Sequence, residues 1–246
     1  MRIYMDYILE VRNLNVYYKS IGRSILSKPA KKQVLFDVSF DVRPGEILGI
    51  VGESGCGKSS LSKAVLGMNK MYEGQIIHHS GKPQMIFQDP FSSLNPAWRI
   101  GRILEEPLIL SGIRDKEERR KRVEDMLNKV GLDETYADRK PAALSGGQRQ
   151  RVSIAAALIA RPQLVIADEP LSALDVTIQS QIMDLMLELK RELGLTYLFV
   201  SHDIDVVYQM CDRIMVMKEG RIIELGDTLE MFANPKNEYT RSLIEG

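Results

Sequence analysis

A chain of 246 residues, 44% of them hydrophobic, can bury a full core and fits one large domain, or one domain with a smaller lobe, better than several independent ones. Its 33 Lys and Arg balance 33 Asp and Glu, so no global basic field points to nucleic acid or an anionic membrane surface, and any polyanion must be gripped locally. Cys56 and Cys211 form neither a dense disulfide pattern nor a zinc spacing, which fits a reducing cytosol; no apolar run approaches the roughly 18 residues of a membrane span, and the N-terminus carries acidic residues where a signal peptide would be apolar.

In chain order, the basic stretch KSIGRSILSKPAKK (19–32) has no clear periodicity and is expected as an exposed loop between two early strands. EILGIV (46–51) is apolar on both faces, as a strand of a parallel sheet covered on both sides should be. It runs into GESGCGKSS (52–60) and then LSKAVLGM, a helix by the spacing of Leu61, Ala64, Val65 and Met68. Strand, glycine loop and helix together are the context that gives G-x-x-x-x-G-K-[ST] a mechanism. Glycines let successive N–H groups converge on phosphate oxygens, and the helix N-terminus adds partial positive charge. Lys58 would then meet the β- and γ-phosphates, and the Ser59 hydroxyl would ligate Mg²⁺. Cys56 sits at a variable loop position and reads as a small spacer; His78 and His79 read as exposed and incidental in a short connector.

From about Phe91 to Ile159 the texture changes to helix after helix, expected as a lobe inserted into the sheet domain. At its centre RDKEERRKRVEDMLNKVGL (114–132) carries an apolar stripe of Val123, Leu127 and Val130, and Gly131 stops it; the charge run reads as a solvated face. Next come the strand QLVIA (163–167), ending in the adjacent carboxylates Asp168 and Glu169, the strand TYLFV (196–200), followed by His202, and RIMVM (213–217). Strand alternation would send Asp168 and Glu169 to different sides and so to different tasks: Asp168 to Mg²⁺, Glu169 to the water attacking the γ-phosphate. His202 lies at a strand C-terminus, where open α/β sheets bind ligands, and could donate to the γ-phosphate.

With these residues in place, the chain resembles the ATP-binding subunit of an ABC transporter over nearly its whole length. GESGCGKSS resembles the Walker A loop, with Gly52, Glu53, Ser54, Gly55, Cys56, Gly57, Lys58, Ser59 and Ser60 expected around the nucleotide; Gln88 in IFQDP resembles the Q-loop, LVIADE the Walker B strand and His202 the switch histidine. Leu144, Ser145, Gly146, Gly147 and Gln148 resemble the signature, Ser172, Ala173, Leu174 and Asp175 the D-loop, and Tyr18 the aromatic that stacks on adenine. The resemblance implies an α/β fold: a P-loop NTPase (RecA-like) core with a mainly parallel sheet, an N-terminal antiparallel β subdomain, and an inserted α-helical subdomain carrying the signature. It implies one ABC ATPase domain over 1–246, with 1–90 and 160–246 as catalytic core and about 91–159 as the helical subdomain. Glu169, His202, Lys58 and Gln88 are expected to be catalytic, with Ser59, Gln88 and Asp168 on Mg²⁺.

In that family two chains close head to tail around two ATP molecules, each signature contacting the ATP of the other. That accounts for a signature without a titratable group, since Ser145 and the Gly146 and Gly147 backbone need only supply donors. The implied partners are a second ABC ATPase subunit, identical or homologous, two transmembrane permease subunits, and an extracytoplasmic substrate-binding protein, with no nucleic acid; the implied place is the cytoplasmic face of the cell membrane, as a peripheral subunit. Trp98 or Phe91 is expected to anchor a cytoplasmic helix of the permease or to pack in the core. FQDPFSSLNP (87–96) and the ending NPKNEYTRSLIEG (234–246) resemble the ATPases of peptide and nickel importers, although Asn237 and Glu238 stand where many of them read His-Pro. The expected cargo is a peptide, with nickel or a metal chelate as the alternative; another class is a cassette of a soluble complex such as a phosphonate lyase. Chromosome-structure and repair members insert a long coiled coil before the signature, and residues 60–144 show no sustained heptads.

Overall fold

The computed structural model describes residues 7–20, 30–89 and 93–245, with only the backbone of Ser20 and Ala30. Most of the expected basic loop (21–29) and Phe91 lie outside the described residues. The chain divides into two compact units, Met1–Lys82 with Thr196–Gly246, and Pro83–Leu195.

The first unit opens with an antiparallel sheet of β1 (Leu9–Ser20), β2 (Ala30–Val42) and β4 (Tyr72–His78), in the order β2-β1-β4. Buried Leu9 and Val11 alternate in β1, and the burial then resumes out of phase at Leu14 and Val16. A bulge causes the phase break: the pairing slips between Val11 and Leu14, where Asn13 takes a left-handed φ of 48° and its side chain donates to Asp37. Beside this sheet in the chain, β3 (Ile47–Val51) runs parallel to both β7 (Thr196–Val200) and β8 (Arg213–Lys218), and β9 (Arg221–Asp227) returns antiparallel on β8. Every residue of β3 and β7 is buried, as strands covered on both faces must be. Helices α1 (Lys58–Val65), α6 (Ile204–Met210), α7 (Thr228–Ala233) and α8 (Glu238–Glu245) belong to the same unit. Gly49 gives β3 its close packing, since an added Cβ would come within 2.8 Å of Cys211 Sγ just past α6.

Two expectations fail here. Helix α1 ends at Val65 and Gly67 turns with φ 75°, so Met68 leaves the apolar stripe and is 63% exposed. His78 and His79 do not sit in an exposed connector: His78 closes β4 with its Nε2 3.0 Å from the Val65 carbonyl, and His79 Nε2 lies 2.7 Å from Glu10. The histidine pair is held because β4 pairs with β1, setting His78 opposite Leu9.

The second unit contains the parallel pair β5 (Gln84–Ile86) and β6 (Leu164–Asp168). Its helices are α2 (Ile100–Leu110), α3 (Lys116–Lys129), α4 (Gly146–Leu158) and α5 (Val176–Leu193). Helix α3 starts where the Asp115 carboxylate accepts the Glu118 N–H at 2.8 Å, and Gly131 ends it with φ 72°. Val123, Met126, Leu127 and Val130 are buried, and Arg120–Glu124 and Arg122–Glu118 pair along the wet face. Arg119 is the exception in that charge run: it is 8% exposed and donates to the Ile113 and Arg114 carbonyls.

Candidate nucleotide site

The phosphate loop begins where β3 ends. Gly52, with φ 146°, has no room for a side chain, because a Cβ would fall 2.2 Å from the Met217 carbonyl oxygen; at Gly57, with φ 116°, it would fall 2.6 Å from Leu35. Between them Cys56 is 6% exposed, and its carbonyl accepts the Gly220 N–H at 2.8 Å, so the β8–β9 hairpin supports the loop. Cys56 is a buried spacer in this arrangement. Helix α1 starts at Lys58 with no side-chain cap and no acidic residue in its first turn. Its leading N–H groups and partial positive charge are therefore left for an anion. Lys58 is 6% exposed, and its ammonium donates to the Gly52 carbonyl at 2.6 Å and the Glu53 carbonyl at 3.1 Å, folded over the loop it serves.

His202 follows β7. The Ser201 N–H donates to the Ile50 carbonyl at 3.2 Å, prolonging the β3–β7 pairing, and the Asp203 N–H donates to Ser201 Oγ at 3.0 Å. These bonds bracket an exposed His202 at the same strand end from which the phosphate loop departs. On β1, Tyr18 pairs with Lys32 and keeps 36% of its surface exposed. Tyr17 is engaged elsewhere: its hydroxyl donates to Glu73 at 3.1 Å, and Lys31 lies 5.7 Å from its ring centroid.

In the second unit, the register of a parallel pair brings distant residues together. Ile86 on β5 pairs with Ala167 on β6, and two residues beyond each, Gln88 Nε2 donates to Glu169 Oε2 at 2.9 Å. The bond uses the Gln88 amide nitrogen, and the amide oxygen is the group that the sequence expectation assigns to Mg²⁺. Asp168 ends β6 at 8% exposure. Simple strand alternation does not explain where Glu169 points, because β6 stops at Asp168 and Glu169 takes a left-handed φ of 48°. The chain then turns tightly: Ser172 donates to the Glu169 carbonyl through both its N–H (3.3 Å) and its hydroxyl (3.1 Å). Ala173 and Leu174 follow in this turn, and Asp175 caps α5 by accepting the Ile178 N–H at 3.0 Å.

The LSGGQ segment is a helix start built on a capping box. Ser145 Oγ accepts the Gln148 N–H at 3.3 Å, and the Ser145 N–H donates to the Gln148 side chain at 3.0 Å. Gln148 Nε2 also donates to the Tyr136 hydroxyl at 2.9 Å, while Leu144 is 4% exposed and anchors the turn. Gly147 has an ordinary helical backbone and is needed for space, since an added Cβ would sit 2.8 Å from Ile178 Cγ2 on the first turn of α5. Gly146 has room for a side chain by comparison, since its added Cβ would make only ordinary contact with Leu174 Cδ2 at 4.0 Å. The signature helix and the D-loop helix thus bring their N-termini together, a relation that motif reading did not anticipate. The other unanticipated contact is on the phosphate loop itself, where the Glu53 N–H donates to the Tyr239 hydroxyl at 3.2 Å. Trp98 is half-buried with the Arg102 guanidinium 5.2 Å from its ring centroid.

Among the described residues, no three His, Cys, Asp or Glu side chains gather into a metal cluster, and no helix is long and apolar enough to cross a membrane. The expected Mg²⁺ set is instead a hydroxyl (Ser59), an amide oxygen (Gln88) and a carboxylate (Asp168), all hard oxygen donors of the kind Mg²⁺ takes while keeping several waters.

Residues 35–172 match the ABC transporter family. The dipeptide transport ATP-binding protein DppF of Haemophilus influenzae is 42% identical over 252 residues, which cover 96% of this chain and 77% of that protein. The oligopeptide transport ATP-binding protein AppF of Bacillus subtilis is also 42% identical, over 253 residues with the same coverage. Among solved structures, cbiO1 from Clostridium perfringens, part of the ABC transporter complex cbiONQ, superposes with a TM-score of 0.77 at 33% identity, covering 94% of this chain and 92% of that one. The ATP-binding cassette MJ0796, as a post-hydrolysis dimer bound to ADP and Pi, gives a TM-score of 0.76 at 31% identity, covering 89% and 98%. The α/β fold with its antiparallel N-terminal sheet and parallel strand pairs agrees with these cassettes, and the chain belongs to the ABC transporter family as an ATP-binding, ATP-hydrolysing subunit.

Proposed function

We propose that this subunit powers peptide import, binding ATP between two cassettes on the cytoplasmic face of a membrane. The observation that carries the cargo class is the set of relatives named for dipeptide and oligopeptide transport, each matching 96% of this chain. In this reading adenine stacks on Tyr18, and the loop of Gly52, Glu53, Ser54, Gly55, Cys56, Gly57, Lys58, Ser59 and Ser60 receives the phosphates through backbone N–H groups and the Lys58 charge. Ser59, Gln88 and Asp168 would hold Mg²⁺, which supplies charge neutralisation at the β- and γ-phosphates when bound. Glu169, held by Gln88, orients and deprotonates the attacking water, and His202 donates to the γ-phosphate.

The Leu144–Gln148 helix start serves the ATP of a second cassette, next to the Ser172–Asp175 turn. Hydrolysis and phosphate loss remove charge-assisted contacts across that interface, so the pair opens. Two permease subunits would transmit the movement, and an extracytoplasmic binding protein would deliver the cargo. The test is purification of the complex with its membrane and binding-protein partners, followed by ATPase assays in vesicles. Stimulation by peptide-loaded binding protein is the expected result; stimulation by a nickel chelate alone, or co-purification with soluble enzyme subunits, would overturn the assignment.

A further inference from the structure

The ending NPKNEYT is absorbed by none of the roles above, yet it reaches the phosphate loop. We infer that Tyr239 is a positioning residue for that loop: its hydroxyl accepts the Glu53 N–H and holds the Glu53 peptide in the orientation from which the loop receives phosphate. The inference rests on the reading that Gly52–Ser60 binds the phosphates of ATP.

Glu53 lies between Gly52 and Gly55, whose φ values of 146° and 82° are left-handed, in a stretch with intrinsically wide conformational freedom. Both polar groups of its backbone are nevertheless engaged. Its carbonyl accepts from the Lys58 ammonium at 3.1 Å and from the Cys56 N–H at 3.2 Å, and its N–H goes to Tyr239 at 3.2 Å. The peptide plane between Gly52 and Glu53 links Lys58 to the C-terminal helix, because its carbonyl, that of Gly52, accepts the Lys58 ammonium at 2.6 Å while its N–H, that of Glu53, donates to Tyr239.

Tyr239 is itself anchored through its ring and its backbone, and the residue that holds its backbone is anchored in turn. Lys218, on the hairpin that supports Cys56, places its ammonium 4.4 Å from the ring centroid. The Tyr239 N–H donates to the Asn237 side chain at 2.9 Å. The Lys236 and Asn237 N–H groups donate to the Glu224 carboxylate on β9 at 3.0 and 3.1 Å. The sequence from Glu224 through Asn237 and Tyr239 to Glu53 is a continuous set of hydrogen bonds ending on the phosphate loop. Burial first, and then the nearby Glu53 carboxylate, push the Tyr239 phenol up against the lowering effect of the Glu53 N–H, so it stays a neutral hydroxyl at physiological pH.

The test compares wild type, Tyr239→Phe and Lys58→Ala in the full chain. Phenylalanine keeps the ring against Lys218 and removes only the oxygen. Tyr239→Phe is expected to raise Kd for MgATP and MgADP by about 3- to 10-fold, the factor one net hydrogen bond is worth, and to raise KM with kcat at saturation unchanged. Amide hydrogen exchange should speed up at Glu53 and its loop neighbours, while the melting temperature without nucleotide falls by no more than about 1–6 °C, as the loss of one hydrogen bond allows. Unchanged nucleotide affinity together with unchanged exchange at Glu53 overturns the inference. So does a larger fall in melting temperature with faster exchange across the whole first unit, which would mark a general packing role. If Lys58→Ala binds MgATP like wild type, the phosphate-loop reading itself fails and the inference with it; if Lys58→Ala loses binding while Tyr239→Phe is silent, only the inference fails.

Discussion

Ser145 carries two roles that one pair of substitutions can separate. In the chain itself it is the N-cap of α4, its Oγ accepting the Gln148 N–H at 3.3 Å while its own N–H is held by Gln148 at 3.0 Å. In the proposed mechanism it also faces the γ-phosphate of the partner cassette. Ser145→Ala removes the longer of the two capping bonds and keeps the other, so the loss belongs at the low end of the cap range, about 0.5–1 kcal/mol. For a chain of this size that lowers the melting temperature by about 1–4 °C. Ser145→Asp keeps an acceptor for the Gln148 N–H and adds a favourable charge at the helix N-terminus, about 0.3–1 kcal/mol, so its stability should match or exceed wild type. Its effect on function should be the reverse. A carboxylate brought to about 4 Å from a phosphate charge costs about 4 kcal/mol at an effective dielectric constant of about 20, enough to suppress ATP-driven closure by about 10³-fold. Thermal melting without nucleotide reads the first role. Steady-state turnover, and ATP-dependent dimerisation in a Glu169→Gln background, read the second. A Ser145→Asp chain that is stable and also turns over normally would refute the claim that the signature faces a phosphate, and Ser145→Ala with unchanged melting would refute the capping account.

Glu169→Gln preserves an oxygen acceptor for Gln88 and should leave ATP binding intact while lowering turnover by at least about 10²-fold; near-normal hydrolysis would remove Glu169 from the water-activating role. Tyr18→Ala should weaken ATP by about 1–3 kcal/mol in a binding titration, with Phe or Trp mild, whereas Tyr17→Ala, whose hydroxyl is committed to Glu73, should leave affinity unchanged. His78 should make the fold acid-sensitive. Burial first, then the neighbouring His79, hold its pKa below the ordinary 6.5, against the raising effect of the Val65 carbonyl, and its Nδ1 is buried without a partner. With the folded value below the unfolded one, its contribution is present above pH 6.5 and is lost as pH falls through the folded value. Urea midpoints between about pH 7.5 and 5 should fall in wild type and fall less in His78→Gln; parallel curves would remove His78 as the cause.

Much of this molecule is legible locally. β3, β6, β7 and β8 show in the sequence because burial on both faces demands continuous apolar runs, and the phosphate loop shows because strand, glycines, lysine and helix are contiguous. Helix α3 declares itself by its stripe and by Gly131, and the signature by its resemblance to the family motif. What local pattern misses depends on register and on long closures. The phase change at Asn13 comes from a bulge against β2, and the half-buried place of His78 comes from pairing β4 with β1. Gln88 meets Glu169 across 81 residues only because β5 and β6 align in parallel, and Glu169 points as it does because its backbone turns left-handed where the strand ends. Gly147 reads in the sequence as a backbone donor alone, and the structure adds a space requirement against Ile178. Tyr239 reaches Glu53 across 186 residues, and no periodicity in either segment encodes that meeting. Periodicity records which face of one element avoids water; the tertiary structure decides which elements share that face and where their ends meet.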